Sequence, residues 1–208
     1  MRANLLNPFG PPIRLASRSP RRAELLALVG ARFEVAPADV DERPLPDERP
    51  DAHVLRLAEA KARAAHAARS RDGADGAVFV GADTVVALDR AILGKPADAG
   101  DAGRMLSLLS GRVHEVWTGL FVFDPGTGRG VGDAVRSLVK FARLDAEAIG
   151  RYVAGGEPLD KAGAYAVQGA GALFVEAIEG SYANVVGLPL SHLKHLLGLL
   201  HETGARES

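Results

Sequence analysis

The sequence contains no cysteine, and its 208 residues carry a formal net charge of only -1. Without cysteine the chain forms neither disulfide bonds nor thiolate metal sites, which excludes a secreted scaffold held together by disulfides. A nearly neutral chain also lacks the broad cationic surface that binds nucleic acid or anionic membranes nonspecifically. Any site for an anion must therefore be built from a few local cations.

Long apolar runs are absent as well. No stretch approaches the about 20 consecutive apolar residues that a helix needs to cross a bilayer. Residues 1–12 lack the apolar centre of a signal peptide and contain three prolines. The hydrophobic content of 47% is that of an ordinary globular protein. We therefore expect a cytoplasmic protein that binds neither membranes nor nucleic acid.

Lysine is scarce, because only five of the 25 basic residues are lysines. Where arginine is so strongly preferred, each lysine raises the question of whether a compact ammonium group is required. Lys61 falls on the apolar face of a predicted helix, and it is either a snorkelling surface residue or a cation directed into a cleft. Lys95 is presented by a tight turn between Gly94 and Pro96.

The turn after the first predicted strand carries the strongest local signal. Ser19 is a suitable N-cap, and Pro20 fits the first position of a helix. Arg21 and Arg22 follow in the first turn, where the helix dipole disfavours cations. This pattern indicates an anion bound by backbone N–H groups, serine hydroxyls and guanidinium groups. The alternative is an ordinary capped surface helix with solvated arginines.

Two carboxylates lie in contrasting surroundings. Asp83 stands between two apolar runs of strand type, and a carboxylate there is costly unless it is paired or bound to a metal. The alternative is a plain turn at residues 81–84 between two strands. Glu42 belongs to an acidic, proline-rich loop that ends near Pro50, and such long loops are often functional. On local grounds alone, however, a solvated connection is the favoured interpretation of that loop.

The alternation of predicted strands and helices indicates an α/β fold, and predicted hairpins make its sheet mixed rather than purely parallel. One hairpin turns at Asp89 and Arg90. Another joins strands at 113–123 and 134–141 across a glycine-rich loop that lacks the spacing of a nucleotide-binding motif. The other predicted strands lie at 13–16, 32–36, 77–88 and 173–179, and the predicted helices at 20–30, 51–71, 98–110, 145–154 and 188–201.

Several motifs occur in order along the chain. They are SRSPRRAELL at 17–26, VDE at 40–42, RLAEAKA at 56–62, GADTVV at 81–86, GKP at 94–96, SGRVH at 110–114, GEPLDKAGAYAVQG at 156–169 and VGLPL at 186–190. Through these motifs the chain resembles the Maf family of nucleoside triphosphate pyrophosphatases from Leu15 to Leu190. It departs from the family pattern at Arg18, where a small residue is common, and residues 1–12 lie outside that pattern.

The resemblance implies both a fold and an activity. The implied fold is an elongated mixed β-sheet with flanking helices and two lobes around a central cleft, similar to the inosine-triphosphate pyrophosphatases. The implied reaction is hydrolysis of a nucleoside triphosphate to the monophosphate plus pyrophosphate by a homodimer with a divalent metal, magnesium or manganese. We expect an N-terminal extension at 1–12, a single domain at 13–203 and a disordered tail at 204–208.

The resemblance also implies roles for individual residues. Asp83 looks like the proton acceptor, Glu42 looks like a partner of the metal or of water, and both are expected metal ligands. Lys61 and Lys95 look like cations on the phosphate side, which completes the expected catalytic group. The expected substrate-binding residues are Ser17, Ser19, Arg21, Arg22, Thr84 and Gln168.

The resemblance also implies that Arg22, Thr84 and Gln168 fall where the family sets base preference. A side-chain amide can pair with both the 4-oxo group and the N3–H of a pyrimidine, so we expect dTTP, UTP and modified pyrimidine nucleotides as substrates. One alternative is a 7-methyl-GTP pyrophosphatase of the same family. Another is a non-catalytic nucleotide-binding regulator of septum formation.

Overall fold

The structure is a computed structural model that describes residues 3–8, 10–69 and 76–202. The tail expected at 204–208 lies outside the described residues. Within them, no helix is both long enough and apolar enough to cross a membrane. The strands are β1 Ile13–Ala16, β2 Phe33–Val35, β3 Val78–Leu88, β4 Ala91–Leu93, β5 Val113–Asp124, β6 Arg129–Phe141 and β7 Val175–Glu179. The helices are α1 Pro20–Leu28, α2 Pro50–Arg69, α3 Ala99–Leu109, α4 Ala146–Ala154, α5 Tyr182–Val186 and α6 Leu190–Glu202.

The described strands form one mixed sheet with the order β2-β1-β3-β5-β6-β7, and β4 pairs with β3. β1 runs parallel to β2 and to β3, whereas β4 is antiparallel to β3 and β7 is antiparallel to β6. The predicted α/β fold with a mixed sheet and flanking helices is therefore confirmed. All five predicted helices are present, and their described ends differ from the predicted ends by at most two residues, while α5 is not among the predictions.

The chain divides into two compact units. Unit 1 comprises residues 1–83, 118–135 and 187–208, and unit 2 comprises residues 84–117 and 136–186. Described residues of the expected N-terminal extension pack within unit 1, because the Leu5 amide donates to the Val29 carbonyl at 3.0 Å and Leu6 is buried. The two lobes, the cleft and the domain bounds at 1–12 and 13–203 stay predictions.

In unit 1, the register of β1 with β3 determines which residues of β3 lie beside the end of β1. Ala16 lies opposite Gly81, so Ser17 comes one residue after that pair and Asp83 two residues after it. β3 continues without a break through Asp83 as far as Leu88. The interpretation of residues 81–84 as a plain turn is therefore wrong.

Helix α2 packs very closely against β3 in unit 1. A Cβ atom on Gly81 would lie 1.9 Å from the carbonyl oxygen of Ala58, so only glycine fits at this position. Ala58 and Ala62 are completely buried on the same face of α2, together with aromatic residues of the core such as Phe79. This close approach places Lys61, about one turn beyond Ala58, within reach of β3.

Strand β6 begins at Arg129, so much of the predicted loop at 124–133 is strand. The loop prediction is wrong for these residues because glycine also occurs inside strands. Here Gly130 and Gly132 make room for the ring of Phe121, since added Cβ atoms would lie 2.3 Å and 2.8 Å from it. Glycine inside a strand often marks such a close approach.

Unit 2 has its own aromatic core. The ring of Phe141 meets His114 and Tyr165 edge to face, at centroid distances of 4.9 Å and 4.8 Å. Nε2 of His114 lies 2.9 Å from the Tyr165 hydroxyl oxygen. Burial lowers the pKa of His114 to about 4, so the imidazole is neutral at pH 7 and belongs to the packing of this unit.

Candidate active site

The turn between β1 and α1 brings Ser17 and Arg22 into direct contact. Both residues are buried, and Nη1 of Arg22 donates to Oγ of Ser17 at 2.8 Å. The same nitrogen donates to the Ala82 carbonyl at 2.9 Å, while Nε donates to the Gly187 carbonyl at 2.8 Å. Burial lowers the pKa of Arg22, and the negative charge of Asp83 opposes that shift.

These contacts show that Arg22 is not a solvated surface arginine, so that alternative is wrong for this residue. Its neighbour Arg21 is half-buried. Ser19 holds the predicted N-cap position before Pro20, but its side chain makes no capping hydrogen bond. Instead, the Ser19 amide donates to Oγ of Ser17 at 3.2 Å, which places two serines and Arg22 around the start of α1.

Two carboxylates meet one lysine in unit 1. Nζ of Lys61 on α2 lies 2.6 Å from Oδ1 of Asp83 on β3 and 2.6 Å from Oε1 of Glu42, which precedes α2. The side chains of Lys61 and Asp83 are 10% and 11% exposed, whereas that of Glu42 is 49% exposed. Lys61 is thus neither snorkelling nor on the surface, and Glu42 is more than a solvated connection.

The charges of this cluster compensate one another. A buried ammonium is costly unless it is paired, and here two carboxylates compensate for the desolvation of one cation. The excess negative charge faces Arg22, whose guanidinium interacts electrostatically with both Asp83 and Glu42. The cluster therefore combines anionic oxygens with fixed cations within unit 1.

The carboxylates also fit a divalent cation. Glu42 and Asp83 supply hard oxygen ligands that already converge on one positive charge, as magnesium and manganese require. Among the described residues, no group of three histidine, aspartate or glutamate side chains forms a metal site. A metal held by these two carboxylates would depend on water and substrate oxygens for its other ligands, which is usual for magnesium.

The other candidate residues belong to unit 2. Thr84 directly follows Asp83 along β3 and is half-buried, while Lys95 and Gln168 are exposed. Oε2 of Glu157 accepts a hydrogen bond from the Ala170 amide at 3.0 Å, so this carboxylate supports the turn that carries Gln168. Within unit 1 the structure brings five candidate residues together, namely Ser17, Arg22, Glu42, Lys61 and Asp83. Thr84, Lys95 and Gln168 lie in unit 2.

Sequence reasoning missed the residues that hold the loop carrying Glu42. Arg18, the departure from the family pattern, pairs with Asp39 of this loop at 2.7 Å, and both side chains are exposed. Arg56 pairs with the carboxylate of Glu48 at 2.6 Å. Arg56 lies inside the motif at 56–62, but no signal in the sequence linked it to Glu48.

The chain thus has an α/β fold in which Ser17, Arg22, Glu42, Lys61 and Asp83 lie close together in unit 1. A family description, "Maf-like protein", matches residues 12–200 of the sequence. The chain belongs to this family, which confirms the resemblance inferred from the motifs.

Curated relatives cover nearly the whole chain. A "dTTP/UTP pyrophosphatase" of Citrifermentans bemidjiense is 52% identical over 192 residues, which is 92% of this chain and 97% of the relative. Proteins with the same description in Syntrophotalea carbinolica and Burkholderia pseudomallei are each 51% identical, and they cover 89% and 93% of this chain and 83% and 96% of the relatives.

One solved structure is also similar, a "Nucleoside-triphosphatase / dITP/XTP pyrophosphatase" from Mycobacterium abscessus. It is 21% identical, and the match covers 64% of this chain and 74% of that chain with a TM-score of 0.41. A likeness of this size supports no conclusion about the present chain.

Replacing Arg22 by alanine should destabilise the protein. The substitution removes the donor to the carbonyls of Ala82 and Gly187. A buried acceptor left without its partner costs about 1–3 kcal/mol, so for two such carbonyls we expect a loss of about 2–6 kcal/mol. Thermal or urea unfolding measures this loss, with Arg21→Ala as the control because Arg21 is less buried. Equal stabilities of the two variants would contradict a structural contribution of Arg22.

Proposed function

We propose that this protein hydrolyses dTTP and UTP to the nucleoside monophosphate and pyrophosphate. The observation that carries the proposal is the contact of Lys61 with both Glu42 and Asp83 at 2.6 Å. The names of curated relatives, about half of whose residues are identical to this chain, support the same activity. Modified pyrimidine triphosphates with the same base edge belong to the proposed substrate class.

In the proposed reaction a water molecule attacks the α-phosphorus. A bond forms between the water oxygen and this phosphorus, the bond to the bridging oxygen of the β-phosphate breaks, and pyrophosphate leaves. Asp83 accepts the proton of the attacking water, which is general base catalysis. The ammonium of Lys61 keeps the carboxylates in place and opposes the negative charge that develops on the phosphate oxygens.

The start of α1 would receive phosphate groups. Backbone N–H groups at a helix N-terminus bind anions, and the hydroxyls of Ser17 and Ser19 lie beside them. Arg21 adds a cation in the first helical turn. Arg22, whose donors already serve carbonyl groups and Ser17, would contribute mainly through its charge and by holding Ser17 in place.

We propose that Glu42 and Asp83 hold magnesium or manganese. A bound divalent cation would supply Lewis acidity toward the phosphate oxygens and lower the pKa of a bound water. The two carboxylates would also orient the attacking water. Lys95 keeps its proposed role as a further cation for the phosphates.

Thr84 and Gln168 are the proposed determinants of base preference. An amide both donates and accepts hydrogen bonds, so it can pair with the N3–H and the 4-oxo group of thymine or uracil. A 7-methylated guanine carries positive charge and would favour a carboxylate at this place. This argument favours the pyrimidine substrates over 7-methyl-GTP.

Substituting Gln168 by glutamate should shift the preference. The carboxylate cannot donate to the 4-oxo group, and a lost buried hydrogen bond costs about 1–3 kcal/mol, or about 5- to 150-fold in kcat/KM. We expect kcat/KM for dTTP and UTP to fall relative to that for 7-methyl-GTP. Glu147→Gln is the control, because Glu147 forms an exposed ion pair within α4. An unchanged ratio would remove Gln168 from base recognition.

A substrate panel tests the proposed function as a whole. Pyrophosphate release from dTTP, UTP, ATP, GTP and 7-methyl-GTP is measured with magnesium and with manganese. The proposal predicts the highest kcat/KM for dTTP and UTP. A preference for 7-methyl-GTP would support the alternative enzyme of the family, and nucleotide binding without any release would support a non-catalytic regulator of septum formation.

The proposed assembly is a homodimer, and the proposed compartment is the cytoplasm. Both come from the sequence, the first from the family resemblance and the second from composition. Sedimentation equilibrium distinguishes a dimer from a monomer without reference to activity.

A further inference from the structure

The segment between β2 and α2 contains one carboxylate that is unlike its neighbours. The side chain of Glu48 is only 7% exposed, whereas residues 41–47 are all exposed. This segment carries Glu42, so whatever holds Glu48 also restrains the approach of Glu42 to Lys61.

Glu48 accepts hydrogen bonds from helix α2 and from its own segment. Arg56 donates to it with two nitrogens, Nε to Oε1 at 2.6 Å and Nη2 to Oε2 at 2.7 Å. Nδ1 of His53 lies 2.8 Å from Oε2, and the Leu45 amide donates to Oε2 at 3.0 Å. We call Glu48, His53 and Arg56 the loop anchor.

The electrostatics keep this anchor intact at physiological pH. The hydrogen bond from Arg56 is the main cause that lowers the pKa of Glu48 to about 2. The carboxylate is therefore ionised across the working range of an enzyme, and the pair with Arg56 persists there. A two-pronged contact between a guanidinium and a carboxylate also fixes orientation, which a single contact does not.

The anchor reaches the backbone next to Glu42. Nη2 of Arg56 donates to the carbonyl of Arg43 at 3.3 Å, and Arg43 directly follows Glu42. The Leu45 amide donates to the side chain of Glu48. Side chains of the anchor therefore hold two backbone groups within three residues of Glu42, the carbonyl of Arg43 and the amide of Leu45. Helix α2 thus contacts this segment in two places. Arg56 of the anchor contacts the backbone at Arg43, and Lys61 contacts the side chain of Glu42.

We infer that Glu48 is a positioning residue for Glu42. By holding the backbone at Leu45 directly and at Arg43 through Arg56, it keeps the Glu42 carboxylate against Lys61 and Asp83. Without the anchor, Glu42 would have to be ordered on substrate binding, and that ordering costs conformational entropy. The expected effect of Glu48 on turnover rests on the proposed function. Its expected effect on the order of the segment does not.

Hydrogen exchange tests the inference without any substrate. Glu48→Ala should speed exchange at the amide of Leu45 by at least about 10-fold, because the carboxylate that accepts its hydrogen bond is lost. Glu147→Gln, which breaks an exposed pair in unit 2, should leave this segment unchanged. Unchanged exchange in Glu48→Ala would overturn the inference.

A double-mutant cycle then tests how Glu48 acts on turnover. Glu48→Ala should lower kcat/KM for dTTP by about 10-fold or more, and the same substitution in a Glu42→Gln background should have little further effect. Equal fold losses in both backgrounds would mean that Glu48 acts only on stability and would overturn the inference. If Glu48→Ala does not fold, Arg56→Lys replaces it in both experiments, since lysine cannot make the two-pronged contact.

The two experiments separate this inference from the proposed function. Absence of pyrophosphate release by the wild type would refute the proposed function, while the exchange rates would still decide whether Glu48 holds the segment. Turnover by the wild type with additive losses in the cycle would refute the positioning role alone.

Discussion

Replacement of Asp83 by asparagine is expected to lower the rate of pyrophosphate release from dTTP by about 10²- to 10⁴-fold. The amide keeps the shape of the carboxylate and can still accept the hydrogen bond from Lys61, so the fold should persist. It cannot take the proton from the attacking water, which is the role proposed for Asp83. Single-turnover measurements with the enzyme in saturating excess over dTTP report this chemical step.

Binding of nucleotide should survive the same substitution. Removing one negative charge relieves repulsion with the phosphates, so calorimetry should show an affinity for dTTP equal to or higher than that of the wild type. Asp89→Asn is the matched control, because Asp89 is exposed at a positive φ of 50° that asparagine tolerates. Near-normal turnover in Asp83→Asn would mean that Asp83 is only the structural partner of Lys61.

Removal of divalent cations should abolish turnover altogether. Glu42 and Asp83 repel the phosphates of a nucleotide unless their charge is compensated, and one ammonium cannot neutralise two carboxylates and a triphosphate. Chelation should therefore stop pyrophosphate release, and added magnesium or manganese should restore it. Glu42→Gln should raise the magnesium concentration needed for half-maximal rate. Full activity in the presence of chelator would contradict the role given to these carboxylates.

Local features of the sequence were sufficient to predict where elements begin and turn. Strand β1 and the start of α1 were predicted at the observed residues because Ser19 and Pro20 mark a helix start. The hairpin between β3 and β4 was also predicted correctly, and Asp89 and Arg90 adopt positive φ angles of 50° and 71° at its turn. These signals act between residues that are close in the chain.

Features that depend on distant residues were not predictable. The sequence gives no sign that Arg22 donates to the carbonyl of Gly187, which lies 165 residues further along the chain. Glycines 130 and 132 read as a loop because the ring of Phe121, for which they make room, is visible only in the packed sheet. The same holds for Glu48, whose burial depends on a contact with the next helix.

The candidate site was predictable as a set of residues but not as a geometry. Lys61 was singled out by its place on an apolar helix face, and the structure shows why it is there, since Gly81 lets α2 approach β3 closely. The simultaneous contacts of Lys61 with Glu42 and Asp83 could not be predicted from the sequence and are seen only in the structure. The catalytic and binding roles of these residues stay predictions.

The most direct test of the proposed reaction is to follow the oxygen of water. Hydrolysis of dTTP is carried out in water enriched in oxygen-18, and the products are separated and examined by mass spectrometry. Attack at the α-phosphorus predicts one labelled oxygen in the thymidine monophosphate and none in the pyrophosphate. Label in pyrophosphate or in inorganic phosphate, with unlabelled nucleotide, would contradict the proposed reaction.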